Sequence, residues 1–482
     1  MKTEDFRRHA HDMVDWMADY LETVEDYPVR SQVRPGDIAA RLPLAPPSEG
    51  EELSAIFADF KNDVMPGMTH WQHPGFFAYF PGNSSPPSVL AEMLTATLSA
   101  QCMLWETSPA ATEMETRVLD WLRQMVGLPD GYHGVIQDSA SSATLCAILV
   151  AREKATGWRA NQSGLGNDGR LVFYTSEEAH SSVAKAARIA GVGDEFLRAI
   201  PSDDTFAMRT DDLRAQIEAD RKAGLKPAGV VATVGSTGVG GIDPLDEIAA
   251  ICREHDLYFH VDAAWAGAAL ILPEERGRAA GIEQADSIVF NPHKWLMTNF
   301  DCSAHFVRDP DALVKTLGIL PEYLKTVGGS EVIDYRDWGV PLGRRFRALK
   351  LWFVIRSYGV EGLQDIIRSH IAWAGELAEL IDTASGFELM APRSLALINF
   401  RHLPADVVDD AAIDAINERL LAVINDDGRI YLTRNRIRGR FAIRFSIGQT
   451  TTTRAHVLDA WRVIQELAAG LTETRVKPED AC

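Results

Sequence analysis

Apolar residues first recur at helical spacing. Phe6, Met13, Val14, Met17, Tyr20, Leu21 and Val24 share one face of a 3.6-residue repeat and predict an amphipathic first helix. A Pro-rich break (PLAPPS, 43–48) separates it from a second predicted helix at 51–65. Two helices are too thin to bury their own apolar stripes, so another surface, such as a second subunit, must cover them. From about residue 80 the pattern changes to short apolar runs separated by helical stretches. The runs are 134–137 (GVIQ), 170–175 (RLVFYT), 229–234 (GVVATV), 257–262 (LYFHVD) and 287–290 (SIVF). Such alternation predicts an α/β domain whose parallel sheet carries helices on both faces. Beyond residue 355 come a predicted helix (362–384), strands at 387–390, 397–400 and 442–446, and a last helix at 455–469. The organisation expected is an N-terminal helical arm (1–80), a large α/β domain (81–355) and a small C-terminal α+β domain (356–482).

Composition narrows the function classes. The chain has 482 residues, 46% hydrophobic and 24% charged, which is ordinary for a globular protein. Its formal charge of −20 repels nucleic acid and anionic membrane surfaces, so neither is expected as a partner. The longest apolar stretch (263–272) is half of the ~20 residues that a membrane span needs. Five cysteines, an odd number with no C-x-x-C pair, fit a reducing compartment. The charged N-terminus lacks the apolar core of a signal peptide, and a cytoplasmic location is expected.

Four segments at predicted strand ends carry candidate chemistry. Asn291-Pro292-His293-Lys294-Trp295 follows the run 287–290. Parallel α/β sheets bind ligands beyond the carboxyl ends of their strands. A lysine there, partly desolvated beside an aromatic ring and a histidine, can become a nucleophile; the plainer alternative is a solvated surface lysine. Asp262 ends the run 257–262 and precedes Ala263 and Ala264. A carboxylate in so apolar a run needs a cation beside it. A protonated pyridine nitrogen would serve, and Ala264 is small enough for a flat ring to lie over; a loop or capping aspartate is the alternative. The third segment, 138–144 (DSASSAT), precedes an apolar helix. Small hydroxylated residues at a helix N-terminus can hold a phosphate, or simply cap the helix. Last, His180 follows the run 170–175, where an imidazole could stack on a pyridine ring or be structural. Four such features at four strand ends weigh more together than singly. A zinc site at His70-x-x-His73 is a rival, but an aromatic run, not a helix with a third ligand, follows it. A non-catalytic scaffold is another rival, though it would need none of these side chains.

Longer motifs carry a resemblance. NPHKW (291–295), HVDAAWAG (260–267), EEAHSS (177–182) and HWQHPGFFAYFPGNSS (70–85) resemble the group II decarboxylases dependent on pyridoxal phosphate (PLP). SPAATEMETRVLDWL (108–122) and DYRDWGVPLGRRFRALKLWF (334–353) do so too, and the resemblance runs from the first helix to the last. Within that group the chain is most similar to the aromatic-L-amino-acid decarboxylases. The resemblance implies the aspartate-aminotransferase-like fold (fold type I) and a homodimer with active sites at the subunit interface, its N-terminal arms embracing the partner. It implies that Lys294 holds the cofactor as a Schiff base, Asp262 meets the pyridine nitrogen and His180 stacks on the ring. Ser139, Ala140, Ser141 and Asn291 correspond to phosphate contacts, Thr237 and Ala264 to further cofactor contacts. His293 would lie near the substrate carboxylate. Tyr79, Phe80, Pro81 and Gly82 correspond to the substrate wall, as do Gln101 and Met103, where mammalian members have an apolar residue and a Phe. Tyr323 corresponds to a proton-donating tyrosine on a closing loop (317–332).

The activity so implied is decarboxylation of an aromatic L-amino acid to the arylalkylamine and CO2. Gly82 leaves room for a bulky ring, which favours tryptophan or phenylalanine over tyrosine or dopa. Aldehyde synthesis or transamination on the same fold is the alternative. Plant aldehyde-forming enzymes of this kind carry Phe at the loop position and insect ones Asn at the stacking position, so Tyr323 and His180 favour simple decarboxylation.

Overall fold

A computed structural model describes residues 1–166, 170–319 and 332–476. The chain divides into two compact units. One holds Met1–Pro81, Trp373–Met390 and the chain from Asn399 on; the other holds Gly82–Ala372 and Ala391–Ile398.

The helices α1 (Thr3–Thr23) and α2 (Leu53–Asp59) open the first unit. No residue of α1 is buried, and Phe6 is 59% exposed. Trp16 nonetheless stacks on Tyr20 and meets Phe57 and Phe60 edge-on, so part of the predicted apolar face is used within the chain.

In the second unit α3 (Pro86–Leu98) and α4 (Pro109–Met125) precede β1 (His133–Gln137) and α5 (Ala140–Ala155). After the short α6 (Ala160–Ser163) come β2 (Leu171–Ser176), α7 (Ser182–Ile189), β3 (Leu197–Ile200), α8 (Thr210–Lys222) and β4 (Lys226–Thr233). Then follow α9 (Leu245–His255), β5 (Tyr258–Asp262), β6 (Ser287–Phe290), α10 (Pro292–Trp295), β7 (Ser303–Val307), α11 (Pro310–Leu317) and α12 (Arg347–Thr383), which breaks at Gly359 and whose end from Trp373 belongs to the first unit. The seven strands form one sheet in the order β1-β7-β6-β5-β4-β2-β3. All neighbours pair in parallel except β7, which runs antiparallel to both β1 and β6. The expected parallel sheet is therefore mixed. Strands β2, β5 and β6 are buried along their whole length, which is why they read as unbroken apolar runs. Central to the packing is α5, whose Ile148, Val150 and Ala151 join Phe173 and Val231 in the core.

The remaining elements lie in the first unit, except that β9 starts within the stretch Ala391–Ile398: β8 (Phe387–Leu389), β9 (Leu397–His402), α13 (Asp410–Asp427), β10 (Thr433–Ile437), β11 (Arg440–Ser446) and α14 (Arg454–Val476). Their strands form a four-stranded sheet, β10-β11-β9-β8. The N-terminal segment is tied to this region. Val29 N donates to Gly428 O (2.9 Å), Ser446 N donates to Phe77 O (3.0 Å), and Phe76 bridges to Tyr431.

Candidate active site

The carboxyl ends of β2, β5 and β6 carry the three residues on which the site is built. Asp262 is the last residue of β5 and its carboxyl is buried. Burial pushes its pKa up, while the Ala264 N–H (3.0 Å) and the charges of Lys294 and His180 pull it down. The neighbouring β4 ends level with it, Thr233 pairing with Asp262. Gly235, at φ 79°, lets the chain after β4 pass close by; a Cβ there would lie 2.5 Å from Ala266 Cβ.

His180 follows the end of β2 by four residues. Its Nδ1 accepts the Ser182 N–H (3.1 Å) and lies 2.8 Å from Ser182 Oγ. That bond leaves Nε2 to carry the ring proton. Desolvation lowers the pKa of His180; the Asp262 charge opposes this and the Lys294 charge adds to it. The three side chains are thus one electrostatic group.

Lys294 sits on the single turn α10 directly after β6, and contacts from distant parts of the chain pin that turn. Asn83, itself buried, donates its backbone N–H to His293 O (3.0 Å) and its Nδ2 to Lys294 O (2.5 Å). His293 Nδ1 accepts the Cys302 N–H (2.8 Å), so its proton belongs on Nε2. Burial, helped by the Lys294 charge, lowers its pKa to about 3, and the ring is neutral at physiological pH. Asn291 N donates to Ala264 O (2.9 Å), which joins the lysine segment to the turn after Asp262.

The N-terminus of α5 faces the same region. Ala140 and Ala143 cluster with Val289 of β6, and Ala264 packs against them. Ser139 caps the helix, its Oγ accepting the Ser142 N–H (3.2 Å). The first N–H groups of a helix have no partner within it, so Ala140 and Ser141 offer donors there. Asn291 Oδ1 accepts from Ser303 Oγ (2.5 Å), which leaves its amide N–H for another acceptor. Thr237 is exposed in the loop after β4.

The expected substrate-wall residues fall in different units. Gln101 and Met103 are held by the segment 335–345: Gln101 Oε1 accepts the Arg344 N–H (2.7 Å), and Met103 O accepts the Arg336 N–H (3.0 Å). Tyr79, Phe80 and Pro81 belong to the other unit, and Gly82 begins the second. There Tyr79 is half exposed at φ 50°, and Phe80 is covered by the Arg444 guanidinium, 4.3 Å from the ring centroid. Tyr323 lies outside the described residues. Of the histidines in the zinc alternative, His70 Nδ1 lies 2.9 Å from Tyr20 Oη, and His73 Nδ1 accepts the Gly75 N–H (2.8 Å). Asn83 and the Cys302 N–H were not singled out in the sequence. Asn83 stands within a quoted motif, but nothing in its own spacing marks it as a clamp.

These residues fit pyridoxal phosphate on three counts. A buried carboxyl pushed upward by desolvation suits a cationic ring nitrogen. Helix α5 offers N–H donors to a phosphate, and Lys294 shares the electrostatic group. The pyridoxal-dependent decarboxylase conserved domain matches residues 35–403. The chain is 42% identical to tyrosine decarboxylase 1 of Narcissus pseudonarcissus, over 98% of this chain and 93% of that one. It is 41% identical to phenylacetaldehyde synthase of Arabidopsis thaliana, over 98% of this chain and 97% of that one. The crystal structure of Oryza sativa TDC with PLP and tryptamine superposes with a TM-score of 0.95 at 36% identity, covering 98% of this chain and 99% of that one. The architecture is that of fold type I, and the chain belongs to the pyridoxal-dependent decarboxylase family, as a PLP-dependent carboxy-lyase.

Proposed function

We propose that this enzyme removes the carboxylate of an aromatic L-amino acid, releasing CO2 and the arylalkylamine. The observation that carries the reading is the electrostatic grouping of His180 and Lys294 about the buried carboxyl of Asp262. Lys294 would hold the cofactor covalently and Asp262 its ring nitrogen. Ser139, Ala140, Ser141 and Asn291 would hold the phosphate, with His180 at the ring and Thr237 and Ala264 as further cofactor contacts. When bound, PLP supplies the sink for the electron pair left as CO2 departs. Asp262, as the anion, would favour the protonated form of the ring nitrogen. His180 keeps its own proton on Nε2. A neutral His293 near the substrate carboxylate gives that charge little ground-state stabilisation, which favours its loss. Tyr323 delivers the proton to Cα.

Tryptophan and phenylalanine are the substrates we favour, because Gly82 leaves space for a bulky ring, with tyrosine and dopa next. Tryptamine in the Oryza sativa structure and tyrosine in the name of the Narcissus relative support the aromatic class. Aldehyde synthesis is the second reading, supported by the Arabidopsis relative. We further propose a homodimer in which residues 1–80 act as an arm on the partner. The exposed Phe6, Val14 and Leu21 of α1 and Leu90, Leu94 and Leu98 of α3 support it. Four buried free thiols fit a cytoplasmic site of action.

The test is to record the visible spectrum of the purified enzyme and of Lys294→Ala, then to offer tryptophan, phenylalanine, tyrosine and dopa while measuring amine, CO2, aldehyde and peroxide. A yellow band lost in Lys294→Ala, with equal amine and CO2, is expected. Aldehyde with peroxide would move the enzyme to the second reading. A band that survives in Lys294→Ala would remove Lys294 from its role.

A further inference from the structure

Helix α10 is a single turn, too short to fix its own rotation. Its carbonyl side is clamped by Asn83, as described above. Its other anchor is Trp295, the residue next to Lys294, whose indole is fully buried. Trp295 Nε1 donates to His370 Nδ1 of α12 at 3.0 Å. The two ring planes lie within 6° of each other with centroids 6.4 Å apart, the edge-to-edge alignment of an in-plane hydrogen bond rather than a stack. One face of the same indole is covered by Trp265, at 5.2 Å and 18°. Trp265 stands three residues beyond Asp262. The aromatic pair therefore joins the turn that bears the carboxylate to the turn that bears the lysine, and the hydrogen bond to α12 sets the angle of the pair.

We propose that His370 is a positioning residue for the reaction: by accepting the Trp295 indole N–H it fixes the rotation of the Lys294 turn against the Asp262 turn. The role requires Nδ1 without a proton. Burial supplies that condition, lowering the His370 pKa to about 3. An apolar residue of similar bulk would fill the space but leave the indole N–H without its acceptor and the turn held on its carbonyl side alone. The proposal rests on Lys294 as the cofactor-bearing lysine.

The experiment uses the full-length, PLP-loaded enzyme with His370→Leu, His370→Asn and Trp295→Phe. Each variant is measured for kcat and KM on the best amino acid, for visible circular dichroism per bound cofactor, and for Tm. His370→Leu is expected to lose about 10- to 100-fold in kcat with KM nearly unchanged, and to weaken the dichroic band. Asparagine places Oδ1 near the position of Nδ1 and restores most of both signals. Trp295→Phe, which removes the N–H together with part of the ring, should lose at least as much as His370→Leu, and adding His370→Leu to it should cost little more. Wild-type dichroism and kcat in Trp295→Phe, or a fall in Tm alone in His370→Leu, would reduce the pair to core packing and overturn the proposal. The Lys294→Ala spectrum reports separately on the reading beneath it.

Discussion

Asp262 shows how one buried side chain ties stability to chemistry. Its folded pKa is raised, with burial the leading cause. Such a carboxyl contributes stability below its unfolded pKa of about 3.9 and loses that contribution as pH rises through the folded value. In the cofactor-free enzyme, Asp262→Asn is therefore expected to hold or raise Tm at pH 7 and to flatten its decline as pH rises above the ordinary carboxylate range. In the loaded enzyme the same change should cost at least ~100-fold in kcat/KM, because a preorganised charge is lost. Thermal melts of both forms, with and without PLP, check the two halves. At this scale the candidate residues were legible in the sequence because Lys294, Asp262 and His180 stand after apolar runs, where side chains project beyond a sheet. What supports them was not legible. Asn83 and His370 act on the Lys294 turn from about 211 and 75 positions away along the chain, and no local pattern records a contact of that kind.

Among the elements, α4 and β1 are locked by a buried ion pair. Glu115 Oε1 accepts the Ile136 N–H (2.8 Å) and an Arg344 N–H (2.6 Å). Arg344 also donates to Ile136 O (2.9 Å) and lies over the Tyr335 ring. Removing one partner of such a pair strands the other charge. Arg344→Met should cost about 3–5 kcal/mol in urea unfolding. Because β1 leads directly to Ser139, and Gln101 is held by Arg344 N–H, the variant should also release PLP more readily on dialysis. The elements read best from sequence were those buried on both faces, such as β5 and β6. Edge strand β3 and strand β10 were missed because half-exposed residues interrupt their apolar pattern. Strand β7 was missed because a buried His305 sits in its middle, and with it went the antiparallel pairing. The run Arg347–Thr383 is two helices that meet at Gly359, where φ 67° and ψ 168° are not helical; the helix expected from 362 is the second of them, and the first was not read.

For the molecule as a whole, segments from both ends of the chain share one unit, while the middle makes up most of the other. Residues Gly82–Ala372 supply nearly all of one unit, whereas Met1–Pro81 share theirs with Trp373–Met390 and the chain from Asn399 on. Synthesis runs from the N-terminus, so the first segment leaves the ribosome long before Gly428, Tyr431 and Ser446 exist to receive Val29, Phe76 and Phe77. At about 5–20 residues per second the wait is roughly 20–80 s. Nascent chains stalled at residue 372 should resist protease across 82–372 and be cut within 1–81, and release of the complete chain should protect both. The aromatic-rich N-terminal segment then has a life of its own during translation: a sticky strip, still without its later partners, for which a chaperone is the first available shelter.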